Sequence, residues 1–126
     1  MDNQKKILLV EDDLFLRDLY IEALTSEGFP VETAVDGEEA LSKFTQNTWD
    51  LVLLDLVLPK FDGLQVLRKL KEAGKLNNSK KTVILTNNTI NDPEKITEIL
   101  SLSNEYLIKS DMNPQQFIDK VKEFLQ

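Results

Sequence analysis

Residues 51–59 of this 126-residue chain read LVLLDLVLP, an apolar run that contains a single carboxylate, Asp55. The four apolar residues at 51–54 predict a strand that is buried on both faces, which is typical of a parallel sheet. An ionised carboxylate at the end of such a strand is costly unless something pairs with it. The stretch therefore predicts a covered parallel sheet and raises the question of what compensates Asp55.

The rest of the chain continues this alternation of strands and helices. Apolar runs at residues 7–10, 83–85 and 106–108 predict three more buried strands, and the alternating pattern at 31–35 predicts a half-exposed edge strand. Apolar residues recur at helical spacing between these runs. Capping residues open the last four predicted helices: Asp36 (with Glu39, as in a capping box), Asp62, Asp92 and Asn113.

Five strands that alternate with five helices predict an α/β fold with a parallel sheet covered on both faces. Right-handed crossovers leave few topologies, and the common five-stranded order is 2-1-3-4-5, the doubly wound, flavodoxin-like arrangement. We expect residues 1–126 to form one domain. The only tryptophan, Trp49, is predicted to lie partly buried at the start of the third strand, about 20 Å from Asp55 at ~3.3 Å per residue.

The composition excludes several classes of function. With 15 basic and 22 acidic side chains, the net charge of −7 argues against binding of a nucleic-acid backbone. The chain has no cysteine and no histidine, so thiolate and imidazole metal sites are excluded. No apolar run reaches membrane length, and the first residues do not resemble a signal peptide. These features predict a soluble, cytoplasmic protein without membrane contact.

Polar side chains follow four of the predicted strands at the points where they end. Glu11 and Asp12 follow the first strand, Asp55 the third, Thr86 the fourth and Lys109 the fifth. The carboxyl ends of parallel strands share one edge of the sheet, where ligands bind at the switch of strand order. Clustered carboxylates need a compensating cation, and oxygen ligands without histidine or cysteine favour Mg²⁺.

This set of residue types suits phosphoryl transfer. A metal, a lysine and a hydroxyl together stabilise charge on a transferring phosphoryl group. Asp55 would be the nucleophile, since carboxylates form aspartyl phosphates. Taken singly, Asp12 or Asp13 would be read as a helix cap, Thr86 as a turn residue and Lys109 as a solvated strand end. A purely structural role is harder to assign to Asp55, because it directly follows a run expected to be buried.

At these residues the sequence resembles the receiver domain of two-component response regulators, and the single-domain chemotaxis regulator has the most similar architecture. Four segments stand at the family's order and spacing, and the resemblance covers essentially the whole chain. These segments are VEDD followed by Arg17, DLVLLDLVLP with Asp62-Gly63, VILT, and EYLIK. The resemblance implies signal transduction through a phosphorylated aspartate.

The resemblance also implies residue roles. Asp55 accepts the phosphoryl group from a phosphohistidine of a sensor kinase or phosphotransfer protein. Glu11, Asp12, Asp55 and the backbone carbonyl of Val57 hold Mg²⁺. Thr86 and Lys109 contact the phosphoryl oxygens. Tyr106 is the switch aromatic that turns inward when Thr86 moves, and the fourth helix, fifth strand and fifth helix form the output face for a target protein.

Several positions depart from the family pattern. Ser110 replaces the proline that usually follows the lysine, so we predict that the Lys109–Ser110 peptide bond is trans or else visibly strained. Asn87 stands where a small residue is usual. Leu102 and Ser103 replace Gly-Ala, so the fourth helix is expected to end differently. Val57 and Asn88 occupy the positions that, in the family, influence the rate at which water removes the phosphate.

Three functional classes compete. The first is the phospho-acceptor switch, and the second is an interaction module of the same fold that is never phosphorylated. The third is an enzyme, but a phosphatase of this type usually carries a second aspartate where this chain has Val57, and EDDLFL does not resemble a flavin phosphate loop. We expect a monomer or weak dimer. The sequence leaves open whether the domain acts alone or is part of a longer regulator.

Overall fold

Five parallel strands form one sheet in the computed structural model, which describes residues 5–87 and 90–126. The strands are β1 (Ile7–Val10), β2 (Val31–Ala34), β3 (Trp49–Asp55), β4 (Ser79–Thr86) and β5 (Glu105–Ile108), and their order across the sheet is β2-β1-β3-β4-β5. The helices are α1 (Leu14–Ser26), α2 (Gly37–Gln46), α3 (Gly63–Glu72), α4 (Pro93–Leu102) and α5 (Pro114–Phe124). Short 3-10 turns occupy Leu76–Asn78 and Lys109–Asp111. The predicted α/β fold and strand order are confirmed.

Helices cover both faces of the sheet, which explains the continuous apolar runs of the central strands. Successive residues of a strand point to opposite faces. Leu54 accordingly packs in a core with side chains of α2, α3 and α4, whereas Leu53 packs in a second core with side chains of α1 and α5. Burial of each such leucine stabilises the fold by about 1.5–3 kcal/mol. β3 thus lies at the centre of the molecule, with Asp55 as its last residue.

The central strands are longer than predicted. β3 starts two residues earlier, at Trp49, and β4 starts at Ser79, ahead of the apolar run predicted at residues 83–85. The reason is backbone pairing, since Trp49 lies opposite Ser79 and Leu51 opposite Lys81. The prediction that Trp49 is only partly buried was wrong, because the residue is 3% exposed and packs in the core beside α2 and α3.

Side-chain caps start the five helices. Each cap accepts a hydrogen bond from a backbone N–H of the first helical turn: Asp13, Asp36, Asp62, Asp92 and Asn113. The capping box predicted for α2 forms only in part, because Glu39 accepts from the N–H of Val35 rather than from that of Asp36. α4 ends at Leu102, and the next residue, Ser103, donates its hydroxyl to the carbonyl of Ile99.

The peptide bond predicted to be trans is trans. No peptide bond in the described part of the chain is cis, and Lys109–Ser110 lies within that part. Asn88, expected to influence loss of the phosphate, lies outside the described residues. Within 5–87 and 90–126, none of the helices has the length and apolar character needed to cross a bilayer.

Candidate functional site

Strand register brings the predicted site residues to one edge of the sheet. Val10 of β1 pairs with Leu54 of β3, so the residues that follow, Glu11 and Asp55, emerge level with each other. Thr86 of β4 pairs with Ile108 of β5, so Lys109 comes one residue further on. The edge therefore gathers two acids, a hydroxyl and an amine that are far apart in the sequence.

The ammonium of Lys109 bridges the two central carboxylates. Its Nζ donates to Glu11 Oε1 at 3.0 Å and to Asp55 Oδ2 at 3.0 Å. All three residues are buried, with exposed fractions of 7% for Lys109, 0% for Glu11 and 3% for Asp55. Lys109 is thus the group that compensates Asp55.

Backbone N–H groups hold the other oxygens of these carboxylates. The N–H of Val57 donates to Asp55 Oδ1 at 3.2 Å, and the N–H of Asp13 donates to Glu11 Oε2 at 3.2 Å. The Leu56 N–H donates to the Leu85 carbonyl at 2.8 Å, which carries the strand pairing one residue past Asp55. Each carboxylate is therefore fixed on one side by the backbone and on the other by Lys109.

A third acid completes a candidate metal centre. Single carboxylate oxygens of Glu11, Asp12 and Asp55 all lie within 4.8 Å of one another. Asp12 is exposed, whereas the other two are buried, so the cluster is open to solvent on one side. Carboxylate oxygens alone are the donor set of a hard divalent cation, and an open side suits one that keeps several waters. The cluster is thus able to bind a metal ion of this class.

The buried groups have shifted proton affinities. Burial, the hydrogen bond with Asp55 and the charge of Asp55 together raise the pKa of Glu11 from 4.5 to about 7, although Lys109 opposes the shift. Burial on its own would lower the pKa of Lys109, but its hydrogen bonds and charge interactions with Asp55 and Glu11 outweigh that effect and raise the pKa above 10.5. Lys109 is therefore charged at neutral pH, and a bound cation would favour ionised Glu11.

Thr86 and Tyr106 lie on the adjacent strands β4 and β5, two register positions apart. Thr86 is buried at the end of β4, one residue beyond Leu85, which pairs with Asp55. Tyr106 lies opposite Ile84 and is partly buried against the core beside α2, α3 and α4. These positions are compatible with the proposed switch, and the role of Tyr106 stays a prediction.

Two close contacts at this edge were not anticipated. The hydroxyl of Ser110 donates to the carbonyl of Asn87 at 3.2 Å and so joins the loops after β4 and β5. Gly63 approaches the end of β3 so closely that a Cβ there would lie 2.6 Å from the Asp55 carbonyl. The serine in place of the usual proline was the sequence signal for the first contact, because only serine supplies a hydroxyl. The Asp62-Gly63 pair was noticed in the sequence, but its backbone contact was not.

Comparisons with known proteins point to one family. A family model described as the response regulator receiver domain matches residues 7–122. The chain is 36% identical over 105 residues to the transcriptional regulatory protein TrcR of Mycobacterium tuberculosis, covering 82% of this chain and 39% of TrcR. The chain spans about half or less of the length of the curated relatives it matches.

Solved structures are similar over nearly the whole chain. A CheY-like response regulator receiver domain protein from Methanospirillum hungatei has a TM-score of 0.83 and 29% identity, covering 98% of this chain and 94% of that one. The response regulator protein TrrA from Thermotoga maritima, in complex with Mg(2+)-BeF, has a TM-score of 0.76 and 35% identity, covering 97% of this chain and 100% of that one.

Proposed function

The chain belongs to the response regulator receiver domain family, and from this premise we propose that Asp55 accepts a phosphoryl group from a phosphohistidine of a partner protein. The observation that carries the proposal is the pair of 3.0 Å contacts from Lys109 Nζ to Asp55 and Glu11, next to an acidic cluster. An Asp55 oxygen would bond to phosphorus as the bond from phosphorus to the histidine nitrogen breaks. The histidine nitrogen would keep the electron pair of that bond, and a donor ring protonated on its other nitrogen would leave as a neutral imidazole.

A magnesium ion fits the donors at this edge. Glu11, Asp12, Asp55 and the backbone carbonyl of Val57 would hold it, and when bound it supplies positive charge to the phosphoryl oxygens. TrrA, the relative solved with Mg(2+)-BeF, supports this assignment. Lys109 is already placed within hydrogen-bond distance of Asp55, so its ammonium would transfer a hydrogen bond to a phosphoryl oxygen with little movement.

The switch would follow from that change in charge. The Thr86 hydroxyl would donate to a phosphoryl oxygen, and Tyr106 on the neighbouring strand would turn inward. The face formed by α4, β5 and α5 would then bind a target protein. A local charge change that biases a two-state element is a known route of regulation.

The protein acts as a receiver rather than as a classical enzyme. We infer that it catalyses only the Mg²⁺-dependent transfer to its own Asp55 and the later loss of that phosphate. A sensor histidine kinase or phosphotransfer protein is the proposed donor, and Leu14 and Phe15, exposed just after Asp12, offer it an apolar contact. The proposal includes a cytoplasmic location, monomer or weak-dimer state, one receiver domain over 1–126, and no nucleic-acid or membrane contact by this domain.

The decisive experiment measures intact mass after incubation with Mg²⁺ and a small acyl phosphate. We expect one added phosphoryl group on the wild type, none without Mg²⁺ and none on Asp55→Asn. Asp18→Asn is the matched control, since Asp18 is exposed on α1, and it should be labelled like the wild type. An unlabelled wild type, or equal labelling of Asp55→Asn, would instead favour an interaction module that is never phosphorylated.

A further inference from the structure

We propose that a tight turn at residues 59–61, docked against the amino end of α2 at Gly37, positions the backbone beside Asp55 and thereby sets metal and phosphoryl binding there. This inference rests on the function proposed above. The residues involved do not contact the site carboxylates. They are positioning residues, which act through the loop that joins β3 to α3.

The turn has an unusual backbone. The N–H of Phe61 donates to the carbonyl of Pro59 at 2.9 Å, which closes a three-residue γ-turn. Its central residue, Lys60, has a φ of +70° and is the only described residue other than glycine with a positive φ. Such backbone is disfavoured for side chains with a Cβ and persists only where surrounding contacts impose it.

The amino end of α2 supplies those contacts. The N–H of Gly37 donates to the carbonyl of Pro59 at 3.1 Å, the same oxygen that closes the turn. A Cβ on Gly37 would lie 2.0 Å from the Phe61 carbonyl oxygen and 2.5 Å from its Cβ. Since Gly37 is buried, an alanine there must push the turn away from the helix.

An ion pair adds a smaller contribution to the same contact. Lys60 Nζ lies 2.9 Å from Glu38 Oε1 and 3.6 Å from Asp36 Oδ2, both on or next to the first turn of α2. The side chains of Lys60 and Glu38 are largely exposed, so solvent screens that pair, whereas Asp36 is 17% exposed but lies farther from the ammonium. The backbone contact at Gly37, rather than the charge of Lys60, therefore fixes the turn.

The other end of the loop is fixed as well. The N–H of Gly63 donates to the carbonyl of Leu56 at 2.7 Å, and Gly63 lies against the backbone of Asp55. Between the two attachments lies Val57, whose side chain is 69% exposed and whose N–H donates to Asp55 Oδ1. Because both ends of the loop are fixed, a displacement of Pro59 also displaces Val57. Val57 is the loop residue whose N–H donates to the Asp55 carboxylate.

Gly37→Ala is the direct test, with Gly28→Ala as the matched control. Both exchanges add one methyl group to a glycine, but nothing lies within 4 Å of a Cβ at Gly28, which has a φ of +85° and lies far from the site in the fold. We expect Gly37→Ala to weaken Mg²⁺ binding by about tenfold, as changes just outside a metal's ligands typically do. Gly28→Ala should lose stability yet keep the Mg²⁺ affinity of the wild type.

A second readout needs no metal. In Mg²⁺-free protein, amide hydrogen exchange at Val57 should be faster in Gly37→Ala than in the wild type and unchanged in Gly28→Ala. The reason is that only Gly37→Ala disturbs the hydrogen bond from the Val57 N–H to Asp55. A folded Gly37→Ala with unchanged Val57 exchange and unchanged Mg²⁺ affinity overturns the inference.

A pair of exchanges at Lys60 covers the case in which Gly37→Ala does not fold. Lys60→Gly and Lys60→Val both remove the ammonium, but glycine tolerates positive φ and a β-branched residue does not. We expect near wild-type Mg²⁺ affinity and Val57 exchange for Lys60→Gly, and changes in both for Lys60→Val. Equal behaviour of the two variants overturns the inference. Failure of the wild type to be phosphorylated would overturn the proposed function instead, whereas the Val57 comparison tests positioning alone.

Discussion

The Lys109 ammonium lies 3.0 Å from a carboxylate oxygen of Glu11, although 98 positions separate the two residues in the sequence. The same ammonium lies 3.0 Å from Asp55, which follows the central strand. One buried ammonium thus pairs with two buried carboxyl groups that lie in different segments of the chain. Several measurable properties follow from this arrangement.

Replacement of Lys109 by methionine should destabilise the fold strongly. The exchange leaves Glu11 and Asp55 buried without their cation, and removal of one partner of a buried ion pair typically costs about 3–5 kcal/mol. Urea unfolding at pH 7 without Mg²⁺ measures the effect. Lys75→Met, at an exposed lysine, is the control and should change the free energy of unfolding by less than about 0.5 kcal/mol. A loss below about 1 kcal/mol for Lys109→Met would contradict the buried pairing.

Stability without metal should fall as pH rises through the range in which Glu11 titrates. Its pKa is about 7 in the folded protein against an ordinary 4.5, so between these values the folded state holds a proton that the unfolded chain has lost. The free energy of unfolding therefore decreases from about pH 4.5 to about pH 7, by an amount on the order of 3 kcal/mol.

Glu11→Gln isolates this effect, because glutamine does not titrate. Urea unfolding of both proteins at pH 5 and pH 8 with a chelator present gives the comparison, and the wild type should lose more stability than the variant. An identical pH dependence in the two proteins would show that Glu11 has an ordinary pKa.

Substitutions at Asp12 and Asp13 should affect metal binding and helix capping separately. Asp12 is exposed and belongs to the acidic cluster, whereas Asp13 caps α1 by accepting from the N–H of Leu16 at 3.0 Å. Asp12→Asn should weaken Mg²⁺ binding at least tenfold with little effect on metal-free stability. Asp13→Ala should cost about 1 kcal/mol of stability and leave more of the Mg²⁺ affinity intact. Calorimetric titration measures the Mg²⁺ affinity of the two variants, and thermal unfolding measures their stability. Loss of stability in Asp12→Asn together with loss of Mg²⁺ affinity in Asp13→Ala would show that the two roles are exchanged.

Trp49 fluorescence should report little when Mg²⁺ binds or Asp55 is phosphorylated. Trp49 starts β3 and Asp55 ends it, so about 20 Å of strand separate them at ~3.3 Å per residue. The measurement is the emission spectrum before and after addition of Mg²⁺ and a small acyl phosphate. A large quench would mean that the change spreads through the sheet to its amino edge.

The strands, and the gathering of polar residues at one sheet edge, could be predicted from sequence because both depend on strong local signals, whereas the strand order followed from the few topologies that right-handed crossovers leave. Apolar runs locate the strands, and a polar residue directly after a buried run, such as Asp55 or Lys109, must lie at the sheet edge. The start of β4 could not be predicted, since Ser79 and Lys81 have no strand pattern of their own and pair only because β3 is their neighbour. The turn at Lys60 was missed for a related reason, as its positive φ is imposed by Gly37 from another element.

The division of the site between distant segments makes this fold suitable as a split reporter. A cut within the 3-10 turn Leu76–Asn78 would leave the three acids on one peptide and Thr86 with Lys109 on the other. Neither peptide alone would carry a complete pocket, so Mg²⁺-dependent labelling of Asp55 would appear only after the fragments reassociate. Association of two proteins fused to the fragments would then be detected as phosphorylation of Asp55.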